Sequence, residues 1–182
     1  MQIAPVAPST QNAVAADQFP SFRDIFPGTR KGAFYLSTPG ESYYLLPDGF
    51  SKIPFSCQSW VTEDRVDGSK WTDRFETTQI GNATLDVDVR RIPNTDKIRI
   101  AMSGEWNGAP YSIEQDYAVT QAKAGYLEFV NADGSTKDPY FFRSTPKAGT
   151  PGAYDVDFQI DAPGLGRMFK KGVVWLPHPA NK

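Results

Sequence analysis

The chain has 182 residues, 40% of them hydrophobic, which suits one domain with a sizeable core. Lysine and arginine total 19 against 21 acidic residues, and the net charge of -2 argues against nucleic acid or an anionic membrane as partner. One cysteine, Cys57, and one histidine, His178, exclude an intrachain disulfide framework and a zinc or iron centre built from several such ligands.

Residues 1–18 are small, polar and proline-containing, the composition of a segment without its own core. They lack a basic region and a continuous apolar run, and Pro5 and Pro8 interrupt them, so no signal peptide is expected. With no stretch near the ~20 apolar residues of a spanning helix, the expected location is the cytoplasm. Ser21 is placed to cap one helical turn, with Phe22, Ile25 and Phe26 on one side at helical spacing. Residues 1–30 are read as a flexible extension whose apolar turn is either a static plug or a lid over a pocket.

From Lys31 onward the signals are strands and turns. Residues 33–37 and 42–46 flank Pro39-Gly40, and Asp48-Gly49 turns the chain into a longer run over 53–62. Strands follow at 71–80, after Asp67-Gly68, and at 84–92, after Gly81-Asn82. The stretch from Lys97 to Val119 is two alternating runs meeting at Asn107-Gly108, a dipeptide suited to the positive-φ positions of a type I′ hairpin turn. Further strands are expected over 126–130, 140–144 and 154–160, a short helix over 163–171, and a last strand over 173–176. Ten or eleven strands at roughly 10-residue spacing, joined by hairpin-length turns, close most simply into an all-β antiparallel up-and-down barrel spanning residues 31–182. A two-sheet sandwich is the competing architecture.

Alternation sends a few polar groups to the apolar face. Asp73 lies between Trp71 and Phe75, and Gln115 lies between Ile113 and Tyr117, with Tyr111 on the same row. A buried carboxylate or amide needs partners. Internal pairing supplies them in one reading. In the other, Trp71, Phe75, Tyr111, Ile113 and Tyr117 wall a pocket for a hydrophobic small molecule, Asp73 and Gln115 anchor or act on it, and Phe22, Ile25 and Phe26 close its mouth.

Much chemistry lacks its residues. A nucleophile–histidine relay is disfavoured because His178 stands between two prolines near the chain's end. Asp155, Asp157 and Asp161, like Asp86 and Asp88, read as the solvated face of alternating strands rather than a calcium loop. Gly164-Leu165-Gly166-Arg167 lacks the rest of a phosphate-binding motif, and no cofactor footprint is present, so no metal and no cofactor is expected. Glu41, Glu63 or Glu76 could join Asp73 as a glycosidase pair, with nothing fixing their separation.

Over residues 31–176 the pattern resembles the calycin type of β-barrel, which includes the lipocalins, the allene oxide cyclase group and the small cyclases that form spirotetronate and spirotetramate rings by [4+2] cycloaddition. The lipocalin Gly-X-Trp is replaced by Lys31-Gly32-Ala33-Phe34. The FPSFRDIFPG segment and the lone amide Gln115 on an aromatic row are more similar to the cyclase group. That resemblance implies a cofactor-free cyclase (a Diels-Alderase) of natural-product biosynthesis, with Gln115 donating to a substrate carbonyl, Asp73 orienting a polar group and the N-terminal segment as lid. A non-catalytic carrier of an apolar molecule and a structural β-domain remain the alternatives, and a homodimer stays open.

Overall fold

The computed structural model describes residues 19–26, 34–46, 49–77, 81–136, 138–162 and 166–176, with side chains described for 19–26, 60–76, 81–136 and 138–159. One helical turn, α1 (Phe22–Ile25), precedes ten strands: β1 (Phe34–Leu46), β2 (Gly49–Asp64), β3 (Gly68–Thr77), β4 (Gly81–Arg91), β5 (Lys97–Trp106), β6 (Ala109–Lys123), β7 (Tyr126–Asn131), β8 (Tyr140–Pro146), β9 (Tyr154–Ala162) and β10 (Gly166–Leu176). Each strand pairs antiparallel with the next in sequence, and β1 also pairs with β10, so the sheet curls round into a ring. The closing contact is Phe34 opposite Leu176, Tyr35 opposite Trp175 and Leu36 opposite Val174. The eight strands from β2 to β9 form the curled part of the sheet in which side chains are described.

Alternation does what the sequence suggests. On β4, Ala83, Leu85, Val87 and Val89 point inward and are buried, while Asn82, Thr84 and Asp86 are exposed. On β5, Ile98 and Ile100 are buried, and on β6 so are Tyr117 and Val119. Asn107 and Gly108 carry φ of 53° and 76°, as a type I′ turn requires. Asn107 also braces the neighbouring hairpin: its N–H donates to the Asn82 carbonyl at 2.7 Å, and its Oδ1 accepts from the Asn82 N–H at 2.9 Å.

The outer face is clamped by ion pairs between strands and the turns beside them. Arg99 holds Asp116 at 2.6 Å, Arg143 holds Asp157 at 2.7 Å, Arg65 reaches Asp88 at 2.6 Å and Lys147 reaches Asp155 at 3.2 Å. The hydrogen bond from Arg99 keeps the Asp116 carboxyl below the usual carboxylate range. Such exposed pairs fix register more than they stabilise.

Four local expectations are corrected. The short helix expected over 163–171 is not formed from Gly166 onward, where β10 begins; residues 163–165 lie outside the described residues. Pro163, Gly164 and Gly166 are poor helix residues, and as a strand the segment's backbone pairs with both β9 and β1. Pro39-Gly40 is not a turn between two strands but an irregularity within β1, where register shifts between Ser37 and Gly40 against β2. The strand expected at 71–80 starts earlier, at Gly68, and is described to Thr77. Gly81-Asn82 opens β4 instead of preceding it, with Gly81 at φ 91°. Asp48, residues 1–18, residues 31–33 and His178 lie outside the described residues.

The single helix described is α1, near the N-terminus. Ser21 caps it, its hydroxyl accepting from the Arg23 N–H at 3.2 Å. Phe22 and Ile25 are 1% and 0% exposed, so this turn is part of the core. Its backbone is tied to two turns at one end of the barrel: the Phe22 N–H donates to the Val66 carbonyl, and the Gly125 N–H donates to the Asp24 carbonyl. Phe26 packs on Phe142 with ring centroids 4.3 Å apart, and the Arg91 guanidinium lies 4.7 Å over the Phe19 ring. Arg23 fastens the outside to Asp64 at 3.2 Å.

Candidate functional site

Cross-strand register sorts the inner wall into rows. Ser69, Val89, Ile100 and Gln115 are consecutive partners on β3, β4, β5 and β6. The next row away from α1 is Trp71, Val87, Met102 and Ile113, and the one beyond is Asp73, Leu85, Gly104 and Tyr111. The outermost is Phe75, Ala83, Trp106 and Ala109. Strand pairing thus places Trp71, Asp73, Phe75, Tyr111, Ile113, Gln115 and Tyr117 on one inner face. Phe22, Ile25 and Phe26 share the core cluster with Tyr117, but their turn binds the β2–β3 and β6–β7 turns. The Asp73–Tyr111 row lies toward the opposite end.

Burial falls along β5 and β6, while Phe75 on β3 and Ala83, Leu85 and Val87 on β4 stay buried. At the α1 end Ile98, Val119, Leu127 and Val156 are at most 1% exposed. Toward the other end of β5 and β6, Met102, Ile113, Gln115 and Tyr111 are all half-buried, as are Trp71 and Asp73 on β3. Strand length supplies the cause. β6 runs for 15 residues but β7 for only 6, and β7 pairs with β6 from Tyr117 to Lys123. Residues 109–116 of β6 therefore have β5 on one side and no strand partner on the other among the described residues. The wall is low there, and water reaches the inner face of the β5–β6 hairpin.

Gln115 has an internal partner. Its Nε2 donates to Asn131 Oδ1 at 2.7 Å, and Asn131 in turn donates from Nδ2 to the Ser135 hydroxyl at 3.0 Å. The Asn131 N–H donates to the Thr136 hydroxyl at 2.8 Å. Asn131 sits opposite Tyr117, so the amide pair spans β6 and β7 where the wall steps down. A primary amide has two N–H bonds and an oxygen, so one N–H bond to Asn131 orients Gln115 without exhausting it. Asn131 lies one residue past the strand expected over 126–130; it is the third inward position of β7, following Leu127 and Phe129.

Besides the Phe19, Phe22, Phe26 and Phe142 rings around α1, two aromatic groups lie along the wall. Tyr117 packs edge to face on Phe129 and Tyr140 at 5.0 and 6.0 Å, those two rings lie tilted 5.7 Å apart, and the three fill the interior beside α1. Phe75, Trp106 and Tyr111 make a chain of rings, 6.4 and 6.0 Å apart, across the open end. Trp106 was not among the expected wall residues, although it is the inward residue immediately before the Asn107-Gly108 turn. The Tyr111 hydroxyl is buried without a hydrogen-bond partner, and burial pushes its phenol up from the ordinary tyrosine range.

Other expected constellations separate. Glu76 is exposed on the face opposite Asp73 and meets Arg74 at 3.5 Å, and Glu63 is 53% exposed beside Arg65, so neither forms a carboxylate pair with Asp73. The Glu41 side chain lies outside the described ones. Asp86 accepts from the Thr72 hydroxyl at 2.7 Å, while Asp88, Asp155 and Asp157 hold basic partners. No group of three metal-ligating side chains occurs among the described residues. No helix among them is long and apolar enough to cross a membrane.

Compared with protein-family models, with curated proteins and with solved structures, the chain matches none.

Proposed function

We propose that the barrel holds a hydrophobic small molecule against the inner face of β3, β5 and β6 and acts on it as a cofactor-free cyclase. The observation that carries this reading is the set of half-buried residues Trp71, Asp73, Tyr111, Ile113 and Gln115, which occupy three successive rows of the inner face of β3 and β6 beyond the buried core beside α1. Apolar walls with a few convergent polar groups are the usual form of a small-molecule site. In this proposal residues 31–182 are one calycin-like barrel domain, and residues 1–30 are its extension.

Ring closure by [4+2] cycloaddition suits the residues at hand. Two σ bonds form at the expense of two π bonds, with no net proton or electron transfer, so histidine and metal are not needed. The wall folds the chain so that diene and dienophile meet, which removes much of the entropic barrier. The free N–H of the Gln115 amide would donate to a carbonyl conjugated with the dienophile, and Asn131 would fix its direction. Asp73, one row nearer the mouth than Trp71, would orient a polar group.

Incubation with a linear polyene ketone, followed by chromatography for a ring-closed isomer of unchanged mass, tests the activity. Gln115→Ala is expected to lower kcat roughly tenfold to a hundredfold with KM changed less than about threefold, the signature of a donor used in the transition state. An unchanged kcat would remove Gln115 from the chemistry. The Gln115–Asn131 bond also favours a second reading, a carrier in which the same amide shapes the pocket. A carrier gives no isomer, and Gln115→Ala then alters affinity alone.

A further inference from the structure

Tyr111 differs from every other polar group on the open wall. Its residue is only half-buried, yet its hydroxyl is sealed from water and has no hydrogen-bond partner. The phenol ring packs beside Trp106, at 6.0 Å. Directly opposite it on β5 is Gly104, which brings no side chain to the wall between Leu85 and Tyr111. Glycine is required there by the backbone: Gly104 has φ 151°, and a Cβ would lie 2.1 Å from the Thr84 carbonyl oxygen. A buried hydroxyl that lost water and gained nothing in return is in an unfavourable place. The closed position of the ring therefore carries a penalty that a ligand oxygen could remove.

We infer that Tyr111 is both gate and polar anchor of the pocket: its ring turns away as an apolar molecule enters over Gly104, and its hydroxyl donates to a carbonyl oxygen on that molecule. This rests on the pocket proposed above and adds the class of ligand, an apolar compound with an isolated carbonyl acceptor. A ligand of this kind gains the hydrogen bond and also relieves the sealed hydroxyl, so the preference over a hydrocarbon of the same shape exceeds that of an ordinary exposed contact. Burial pushes the phenol further up from the ordinary tyrosine range, in keeping with a role as donor.

The test compares nonan-2-one with the alkene in which a methylene replaces its oxygen. Binding to the full-length protein is followed by tryptophan fluorescence, to which Trp106 reports from beside the ring. The ketone is expected to bind about tenfold tighter than the alkene, and Tyr111→Phe should erase that preference while leaving alkene affinity within about twofold. The same substitution should raise the Tm of the unliganded protein, because it removes the sealed hydroxyl and keeps the ring. A preference that survives in Tyr111→Phe, or a lowered Tm, overturns the role of the hydroxyl. Equal binding of both probes by the unaltered protein overturns the inference and leaves the pocket standing, whereas binding of neither overturns both.

Discussion

Phe22→Ala is expected to lower the free energy of unfolding by about 3–5 kcal/mol, the range for emptying a filled aromatic site in a core. Phe22 is 1% exposed and stacks between Phe19 and Phe26 at 5.9 and 5.4 Å. Its neighbours cannot collapse freely into the space. Hydrogen bonds to Val66 and Gly125 pin α1 to two separate turns, and Phe26 is already committed to Phe142. The size of the loss also distinguishes the two readings of this segment. A plug that completes the core gives the full effect in urea unfolding of the unliganded protein. A lid that opens readily gives a loss under about 1 kcal/mol together with faster ligand exchange, because little of its burial is then needed for folding. The placement of α1 at the end away from the Asp73–Tyr111 row favours the first outcome.

Gly104→Ala should destabilise by about 2–4 kcal/mol, well beyond an ordinary strand glycine. The new Cβ would have to displace the Thr84 backbone, since it starts 2.1 Å from a carbonyl oxygen. Thr84 is bound on both sides, to Arg74 in β3 and Glu105 in β5, so the shift would propagate through the sheet. Gly108→Ala is the matched control. It too has positive φ, 76°, but its Cβ would meet nothing within 4 Å, and about 1 kcal/mol is expected from backbone strain alone. Thermal unfolding of the two variants side by side checks the contrast. Equal losses would show that the β4–β5 contact yields easily and that glycine is not required opposite Tyr111.

The strands were legible because side-chain alternation and glycine-bearing turns are local signals. Val87 between Asp86 and Asp88, and Asn107-Gly108 between two alternating runs, each announce their structure within a few residues. The segment at 163–171 misled because Leu165, Met168 and Phe169 mimic a helical face. What makes residues 166 onward a strand is the pairing with β1, more than a hundred residues earlier in the chain, which no local window contains. The inward direction of Asp73 and Gln115 was readable from the period of two. Their surroundings were not, because exposure at Gln115 depends on where β7 stops, and the partner Asn131 is brought to it by register across a turn. The orphaned hydroxyl of Tyr111 depends on its position opposite Gly104 and beside Trp106, a tertiary fact invisible in a row of alternating residues.

Native mass spectrometry of the protein purified from its own host, with solvent extraction of whatever it retains, tests the ligand-filled barrel most directly. The expected result is one apolar small molecule per chain, released by organic solvent and bearing a carbonyl oxygen. Bare polypeptide mass, together with a melting temperature unmoved by a panel of apolar ketones, would contradict the account and leave Asp73 and Gln115 as polar residues of the barrel wall.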